Sequence, residues 1–425
     1  MSRRIGITGV GLVSALADEP LAFHRALRAG ARALQPVVEE SLPDLAGRPH
    51  APLPDFAPER YLGADANLRP LDGAGRRLAS AAALALDASG WSPSMRAAEP
   101  VGLVVGTMFA GMRTIAEFDR RALEAGPQYV MPLDFANTVF NAAAGQAAIR
   151  YRLTGPNATL GGGPVAAVQA LGYAAQLIRS GQVRAVLAGG VDELSREALV
   201  CMARAGLLSA AAGAENSSGR PGAPVPFDTR RDGCALGEGA VLFMIEAIDD
   251  ALERGAPILA EIVSSASAWA PPGEAGSGED PVADALARVI STALADAGLA
   301  PEQLDAWSSS ASGAISGDVT EARGFVAALG AAASTIAVTA VKGALGEALG
   351  AAGALQTLVL LGAMRDGFLP GVAGLEAGEP GLGIRLQAAE QAVDLKNGLV
   401  TAVGFEGAVE ALVVRRWEGD PHAAR

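Results

Sequence analysis

Apolar residues recur along this chain in two patterns, as short uninterrupted runs and as longer stretches with helical spacing. An uninterrupted run predicts a strand buried on both faces, whereas helical spacing predicts a helix with one face on the core. The predicted strands are residues 5–14, 101–105, 183–188, 241–246, 258–264, 337–339 and a glycine-interrupted pair within 399–414. The predicted helices are residues 75–89, 165–180, 281–297 and 350–365.

The order of these elements predicts the fold class. The helix at 165–180, which Gly181 ends, lies between apolar strands, and this succession predicts a parallel sheet covered on both faces. The second half repeats the rhythm without close repetition of sequence. We therefore predict an α/β protein of two similar halves, residues 1–250 and 251–425, with a boundary near 247–257. Loops rich in polar residues, Gly or Pro are predicted at 35–70, 160–163 and 271–280.

The composition excludes several classes of protein. The 425 residues include 33 Lys and Arg against 46 Asp and Glu, a net charge of −13, which argues against nucleic acid as the main partner. No apolar stretch of about 18 residues is free of breakers, so we expect no membrane span. The apolar segment after Arg4 lacks the features of a signal peptide. Two cysteines do not make a disulfide framework and fit a reducing cytoplasm.

Histidine and cysteine are too scarce to suggest a metal site or imidazole chemistry. None of the three histidines lies in a cluster with metal-ligand spacing, and we predict His24 on a helix surface and His422 in a charged tail. Cys201 and Cys234 have no adjacent histidine, so we interpret both as small buried hydrophobic residues rather than nucleophiles. The glycines at 6–11 match a dinucleotide fingerprint only loosely. We expect no metal and no cofactor.

Five motifs follow one another in the order typical of a known family. They are GPN at 155–157, LAGGVD at 187–192, PFDTRRDGCALGEGA at 226–240, Lys342 with GAAGA at 350–354, and VGFEG at 403–407. Together they resemble the β-ketoacyl synthases, and the third motif is the most specific. The resemblance covers nearly the whole chain. It implies a thiolase-like fold, with two pseudo-duplicated α/β halves in a layered αβαβα arrangement.

The family's chemistry depends on a cysteine at a helix N-terminus and two histidines. Counted from the motifs, these positions fall on Pro164, Ser310 and Glu347, so the resemblance implies no catalytic residue in this chain. Proline has no nucleophile but suits the first turn of a helix. Glu347 places a negative charge where an anion should be stabilised, unless its carboxyl is protonated or paired. Lys342, five residues earlier, is the predicted partner; the alternative is that this pair is a structural remnant.

Further site residues come from the same resemblance. Asp318 and Glu321 retain the family's GD..E spacing and are expected to support the loop geometry around the site. Phe405 matches a gating aromatic residue. The expected tunnel wall and subunit interface comprise Phe135, Ala136, Asn137, Thr138 and Phe140. Ordinary core packing is the alternative interpretation of each.

A complete fold without its triad resembles the chain length factors. These are inactive partners that form heterodimers with an active ketosynthase in type II polyketide, polyene or fatty-acid-like biosynthesis. The expectation is a cytoplasmic homologue of β-ketoacyl-ACP synthases, an acyltransferase family, that shapes an acyl tunnel and meets acyl carrier protein. Two alternatives remain open: an enzyme with altered chemistry, such as an acyltransferase or malonyl decarboxylase, and a scaffold that only docks acyl carrier protein.

Overall fold

The computed structural model describes residues 3–38, 43–211, 222–273 and 279–419. In these ranges the strands are β1 (Ile5–Ser14), β2 (Gln35–Pro36), β3 (Pro49–Ala51), β4 (Val101–Thr107), β5 (Asn157–Gly161), β6 (Ala185–Asp192), β7 (Leu236–Gly237), β8 (Gly239–Ala247), β9 (Ala260–Trp269), β10 (Ala306–Ser308), β11 (Ala337–Thr339), β12 (Phe368–Leu369), β13 (Gln391–Ala392), β14 (Asn397–Val403) and β15 (Ala408–Arg415). The helices are α1 (Pro20–Arg28), α2 (Glu59–Leu62), α3 (Gly73–Ala88), α4 (Pro93–Ala98), α5 (Met112–Glu124), α6 (Pro132–Phe135), α7 (Ala142–Tyr151), α8 (Ala166–Arg179), α9 (Arg196–Arg204), α10 (Ile248–Glu253), α11 (Pro281–Asp296), α12 (Ile315–Leu329), α13 (Lys342–Leu345) and α14 (Ala352–Asp366).

Ten strands form one mixed sheet that is internally duplicated. Its order is β11-β10-β14-β15-β9-β1-β8-β6-β4-β5, and antiparallel pairing of β1 with β9 joins the two halves. The two halves have the same strand order. If the five strands of a half are numbered along the chain, their order from the outer edge of the sheet to its centre is third, second, fourth, fifth and first. The third, second and fourth strands are parallel in both halves, and the remaining pairs are antiparallel. The chain therefore has the pseudo-duplicated, thiolase-like α/β fold that the motifs imply.

The two half-sheets enclose a layer of two buried helices. Val241 and Phe243 of β8, and Leu412 of β15, face a core shared with α8 and α14. Alternate residues of the same strands face outward: Leu242 packs with α3, and Val413 packs with α11 and α12. The layers are thus helix, sheet, helix, sheet, helix. Helix α14 is mostly apolar and is buried on all sides over residues 352–364, because protein covers both of its faces.

The sequence-based elements are largely recovered, with three corrections. The sheet is mixed rather than parallel, because β8 begins beside the end of β6, where Asp192 pairs with Gly239. The predicted loop at 35–70 contains β2, β3 and α2, and the predicted turn at 160–163 overlaps the end of β5. Part of the predicted loop at 271–280 lies outside the described residues.

His24 is the third correction, because it is buried rather than on a helix surface. Helix α1 packs against α14, and His24 Nδ1 lies 2.8 Å from Asp366 Oδ2. Desolvation lowers the pKa of His24, and the Asp366 carboxylate opposes that shift. His422 lies outside the described residues. No helix among the described residues has the length and apolar character needed to cross a bilayer.

Candidate functional site

Pro164 lies at the entrance to the central helix α8. A 3₁₀ turn, Gly163–Val165, leads into this helix, and its three residues are buried. Gly163 has a φ of +57°, which glycine adopts without a steric penalty. Proline is tolerated here because an N–H in the first helical turn would have no intrahelical partner. The turn packs against a second turn, Leu349–Ala351, which precedes α14. This helix N-terminus therefore carries no nucleophilic side chain at position 164.

Lys342 connects the other two substituted positions. Its Nζ donates to Glu347 Oε2 at 2.6 Å and to Ser310 Oγ at 2.9 Å. The side chains of Lys342 and Glu347 are both 2% exposed. Ser310 follows β10, Lys342 begins α13, and Glu347 follows that helix. The structure thus brings together the predicted pair and adds Ser310 to it, whereas the pair's role remains a prediction.

Backbone groups hold this network in place. The N–H of Leu349 donates to Glu347 Oε1 at 2.9 Å, and the N–H of Val403 donates to Ser310 Oγ at 3.3 Å. Both carboxylate oxygens of Glu347 therefore have donors, as a buried charge requires. The Ser310 oxygen accepts from both Lys342 and Val403.

Asp318 fixes the loop that follows Ser310. Its carboxylate accepts hydrogen bonds from the backbone N–H groups of Phe227, Ser312 and Gly313 at 2.8 to 3.3 Å. Arg231 Nε lies 3.7 Å from the same carboxylate. Burial raises the pKa of Asp318 to about 7, while these donors and Arg231 oppose the shift. The supporting role that the resemblance implies for Asp318 stays a prediction.

Glu321 performs a similar task one turn further along α12. It accepts from Ser309 Oγ at 2.6 Å, from the Ser310 N–H at 2.7 Å and from Thr401 Oγ1 at 2.5 Å. Burial raises the pKa of Glu321, and the bonds from Ser309 and Thr401 oppose this. Sequence reasoning missed both hydroxyl partners. Ser309 belongs to none of the five motifs, and Thr401 lies on β14, 80 residues from Glu321.

A cavity of about 410 Å³ reaches this network from the surface. Its wall includes Ser310, Glu347 and Phe405, together with Asp318 and Glu321. Three of the predicted site residues thus line one space with the carboxylates of Asp318 and Glu321. Pro164, the predicted counterpart of the nucleophile, is not among the residues that line this cavity.

The cysteines differ in environment. Cys234 is buried, and burial together with the charge of Glu347 raises the pKa of its thiol to about 12. A thiol with that pKa supplies almost no thiolate. Cys201 lies on α9 and is exposed, so the expectation that both cysteines are buried is wrong for this one. Among the described residues no group of three or more His, Cys, Asp or Glu side chains is arranged to hold a metal ion.

The predicted tunnel-wall stretch lies at the surface of the chain. Phe135, at the end of α6, is 60% exposed and Phe140 is 41% exposed. Ala136 is also exposed, Thr138 is half-buried and Asn137 is buried. Core packing, the alternative interpretation, is therefore wrong for the two phenylalanines. Whether the stretch forms a tunnel wall remains a prediction.

These phenylalanines belong to a segment with several exposed apolar side chains, which we call the 129–140 patch. Its exposed members are Tyr129, Met131, Leu133, Phe135, Val139 and Phe140. The ring of Phe140 lies against Gly161 of β5, where an added Cβ would come within 2.9 Å of the ring. Strand β5 is the edge of the ten-stranded sheet. The patch therefore adjoins a sheet edge that has no further strand among the described residues.

Asp192 ties the end of β4 to the 349–351 turn, a role that the sequence analysis did not assign to it. Its buried carboxylate accepts from Thr107 Oγ1 and from the N–H groups of Met108, Phe109 and Gly350, at 2.7 to 3.0 Å. Burial raises the pKa of Asp192 to about 6, and these donors oppose the shift. Its place at the end of LAGGVD is the available signal, because a carboxylate that follows a buried strand needs donors nearby.

Comparison with known proteins places these features in a family. The model of the β-ketoacyl synthase N-terminal domain matches residues 2–251, and that of the C-terminal domain matches residues 259–376. The 3-oxoacyl-[acyl-carrier-protein] synthase 2 of Coxiella burnetii is 29% identical over 419 residues, which cover 97% of this chain and 99% of that protein. The Vibrio cholerae protein of the same name is 28% identical over 422 residues, with the same coverage.

Solved structures show the same architecture. The ishigamide ketosynthase/chain length factor has a TM-score of 0.87 and 27% identity, covering 98% of this chain and 100% of that one. A β-ketoacyl synthase from Burkholderia phymatum has a TM-score of 0.85 at 24% identity, covering 98% of this chain and 100% of that chain, and at this identity it supports the fold alone.

Proposed function

Because the chain belongs to the β-ketoacyl synthase family, we propose that it is a subunit without condensing activity of its own, a chain length factor. In this proposal it pairs with an active ketosynthase and forms part of the wall of the acyl tunnel. The reaction it serves is carbon–carbon bond formation on acyl carrier protein, in polyketide or fatty-acid-like biosynthesis.

The observation that carries the proposal is the substitution of all three reactive positions. Pro164 supplies no thiol, and Ser310 and Glu347 supply no imidazole. The amino group of Lys342 is already hydrogen-bonded to Glu347 and Ser310, so it is not free to bind the carboxylate of a substrate. Condensation by the family's route requires an acylated thiol and donors for a developing anion, which these residues do not provide.

The surface of the chain supports pairing with another subunit. The 129–140 patch exposes large apolar side chains beside the edge strand β5, and such a surface is typical of a protein interface. The likeness to the ishigamide ketosynthase/chain length factor is consistent with this assignment. An acyl carrier protein as a further partner follows from the proposed reaction.

The test is reconstitution with acyl carrier protein and malonyl and acyl substrates. Alone, this chain should yield no β-ketoacyl product by mass spectrometry, and with a partner ketosynthase the products should differ in length from those of the ketosynthase alone. β-Ketoacyl product from this chain alone would contradict the proposal. The curated relatives are named synthases, so the same assay also tests altered chemistry, since free acids or released carbon dioxide without a condensed product would favour that alternative.

A further inference from the structure

Ser310 is a cavity hydroxyl in direct contact with a buried amine. Its oxygen lies 2.9 Å from Lys342 Nζ, and both Ser310 and Glu347 line the cavity of about 410 Å³. Ser316 lines the same cavity but its side chain is exposed. Among the described residues that line this cavity, Ser310 is therefore the serine whose hydroxyl is hydrogen-bonded to a lysine, and that lysine lies behind the cavity wall.

The amine matters because an amine can act as a base, whereas a guanidinium cannot. The sequence has two lysines, Lys342 and Lys396, and its other basic residues are arginines apart from histidine. Arginine stays protonated in proteins, but a buried lysine can give up its proton. Position 342 therefore carries the cation that is suited to proton transfer.

Glu347 is placed to receive the proton that Lys342 must release. Its Oε2 lies 2.6 Å from Nζ, while its Oε1 is bound separately by the N–H of Leu349. Transfer of a proton from Nζ to Oε2 leaves a neutral amine beside a neutral carboxylic acid. The neutral amine can then accept the hydrogen of Ser310.

We propose that Ser310 is an acyl-accepting nucleophile served by Lys342 and Glu347, and that the chain slowly hydrolyses acyl thioesters. Ser310 Oγ forms a bond to the thioester carbonyl carbon, the carbon–sulfur bond breaks, and the hydroxyl proton passes through Lys342 to the leaving thiolate. Water then attacks the acyl-serine ester, the Oγ–carbonyl bond breaks, and a carboxylic acid leaves while Ser310 regains its proton. No carbon–carbon bond forms in either step.

The thioester as substrate class rests on the proposed function, but the reactivity of Ser310 does not. A serine-directed fluorophosphonate and a p-nitrophenyl ester test the nucleophile without a carrier protein or a partner subunit. If this chain does not change the product lengths of a partner ketosynthase, that result would count against the proposed function and leave the labelling result unchanged. An absent label would count against Ser310 and leave the partner effect unchanged.

The first experiment locates the adduct. The full chain is treated with the fluorophosphonate, and the modified peptide is identified by mass spectrometry. We expect one adduct, on Ser310, that is lost in Ser310→Ala and retained in Ser316→Ala, a serine of the same cavity without a lysine contact. No adduct, or an adduct on another residue, would overturn the proposal.

The second experiment separates proton transfer from structural support. Lys342→Arg keeps a positive charge beside Glu347 but supplies no base, so labelling and ester hydrolysis should slow by roughly 100-fold while the thermal unfolding midpoint changes little. If the larger side chain disturbs folding, Lys342→Met/Glu347→Leu removes both charges and should show the same kinetic loss. Labelling at the parent rate in a folded variant of either kind would overturn the role of Lys342.

Discussion

At the scale of single residues, two effects of the Lys342–Glu347 pair on the free energy of unfolding can be measured separately. One is the penalty for burying the two charges, and the other is the stabilisation that each charge gains from its partner. Lys342→Met leaves Glu347 as an unpaired charge at a 2% exposed position, and this should lower the free energy of unfolding by about 3 to 5 kcal/mol. Lys342→Met/Glu347→Leu removes both charges and should be close to the parent in stability. Urea denaturation of the three proteins measures both differences.

The comparison of the two variants decides what the pair contributes. Equal losses in the single and double variants would mean that the packing of the lysine stem, rather than charge, explains the cost. A near-parental single variant would show that Glu347 finds another donor or is protonated in the folded chain.

The second prediction for a single residue is that Glu410 makes the stability of the chain depend on pH. Burial raises the pKa of Glu410 to about 8, which a hydrogen bond from Gln169 only partly opposes. The folded chain binds this proton more tightly than the unfolded chain, whose ordinary value is about 4.5. The contribution of Glu410 to the free energy of unfolding is therefore fully present below about pH 4.5 and is lost as the pH rises through about 8.

Glu410→Gln should remove this dependence. Between about pH 5 and about pH 8, the parent should lose a few kcal/mol of unfolding free energy relative to the variant. Burial also raises the pKa values of Asp192 and Asp318, but both groups are present in parent and variant, so the difference between the two curves isolates Glu410. Parallel curves from urea denaturation would contradict the assignment.

A third residue-scale prediction concerns Pro164. Pro164→Cys should not restore condensation, because a thiol at the start of α8 still lacks two imidazoles. In addition, the carboxylate of Glu347 lies close to the turn that packs against position 164, where its negative charge opposes a thiolate. The measurement is β-ketoacyl product from the purified variant, with the parent as background. Product above that background would show that the missing thiol alone limits the chain.

At the scale of elements, α6 and the turn after it should set product length if they line the partner's tunnel. Phe135 packs against Phe118 of α5, with ring centroids 5.9 Å apart, and Phe140 packs against Gly161 of β5. Phe135→Ala or Phe140→Ala should lengthen the products of the reconstituted pair, because a removed ring opens space that the supporting elements do not close.

The converse changes, Ala136→Phe and Thr138→Phe, should shorten the products, since a packed wall does not yield cheaply to added volume. Size-exclusion chromatography shows whether each variant still forms the complex. Unchanged product lengths in an intact complex would contradict the length-setting role of this segment.

At the scale of the whole molecule, the 129–140 patch should determine association with an active ketosynthase. Leu133→Glu places a charge in this patch at a 48% exposed position and should abolish co-elution with the partner. Leu252→Glu is the matched control, because Leu252 is 44% exposed but lies on α10, outside the patch. Both variants should unfold at nearly the parent temperature, and loss of the complex in both would argue against a specific interface.

Much of this architecture could be predicted because its signals are local. Uninterrupted apolar runs identified β4, β6 and β8, and the helical spacing that ends at Gly181 identified α8. The order of the motifs indicated the duplicated fold. The resemblance placed the triad positions on Pro164, Ser310 and Glu347, an assignment that stays a prediction, and none of these residues is a cysteine or a histidine. These conclusions need the chain's own periodicity and chemistry, and nothing from contacts between distant segments.

Only the tertiary structure decided which faces are covered and which distant residues meet. His24 is buried because α1 packs on α14 and brings Asp366 beside it, 342 residues away. Ser310 contacts Lys342 because adjacent parallel strands, β10 and β11, lead into loops on the same edge of the sheet. Phe135 is exposed although its side chain is as apolar as those of the core. Helix and strand periods are written along the chain, whereas burial and contact depend on how the layers pack.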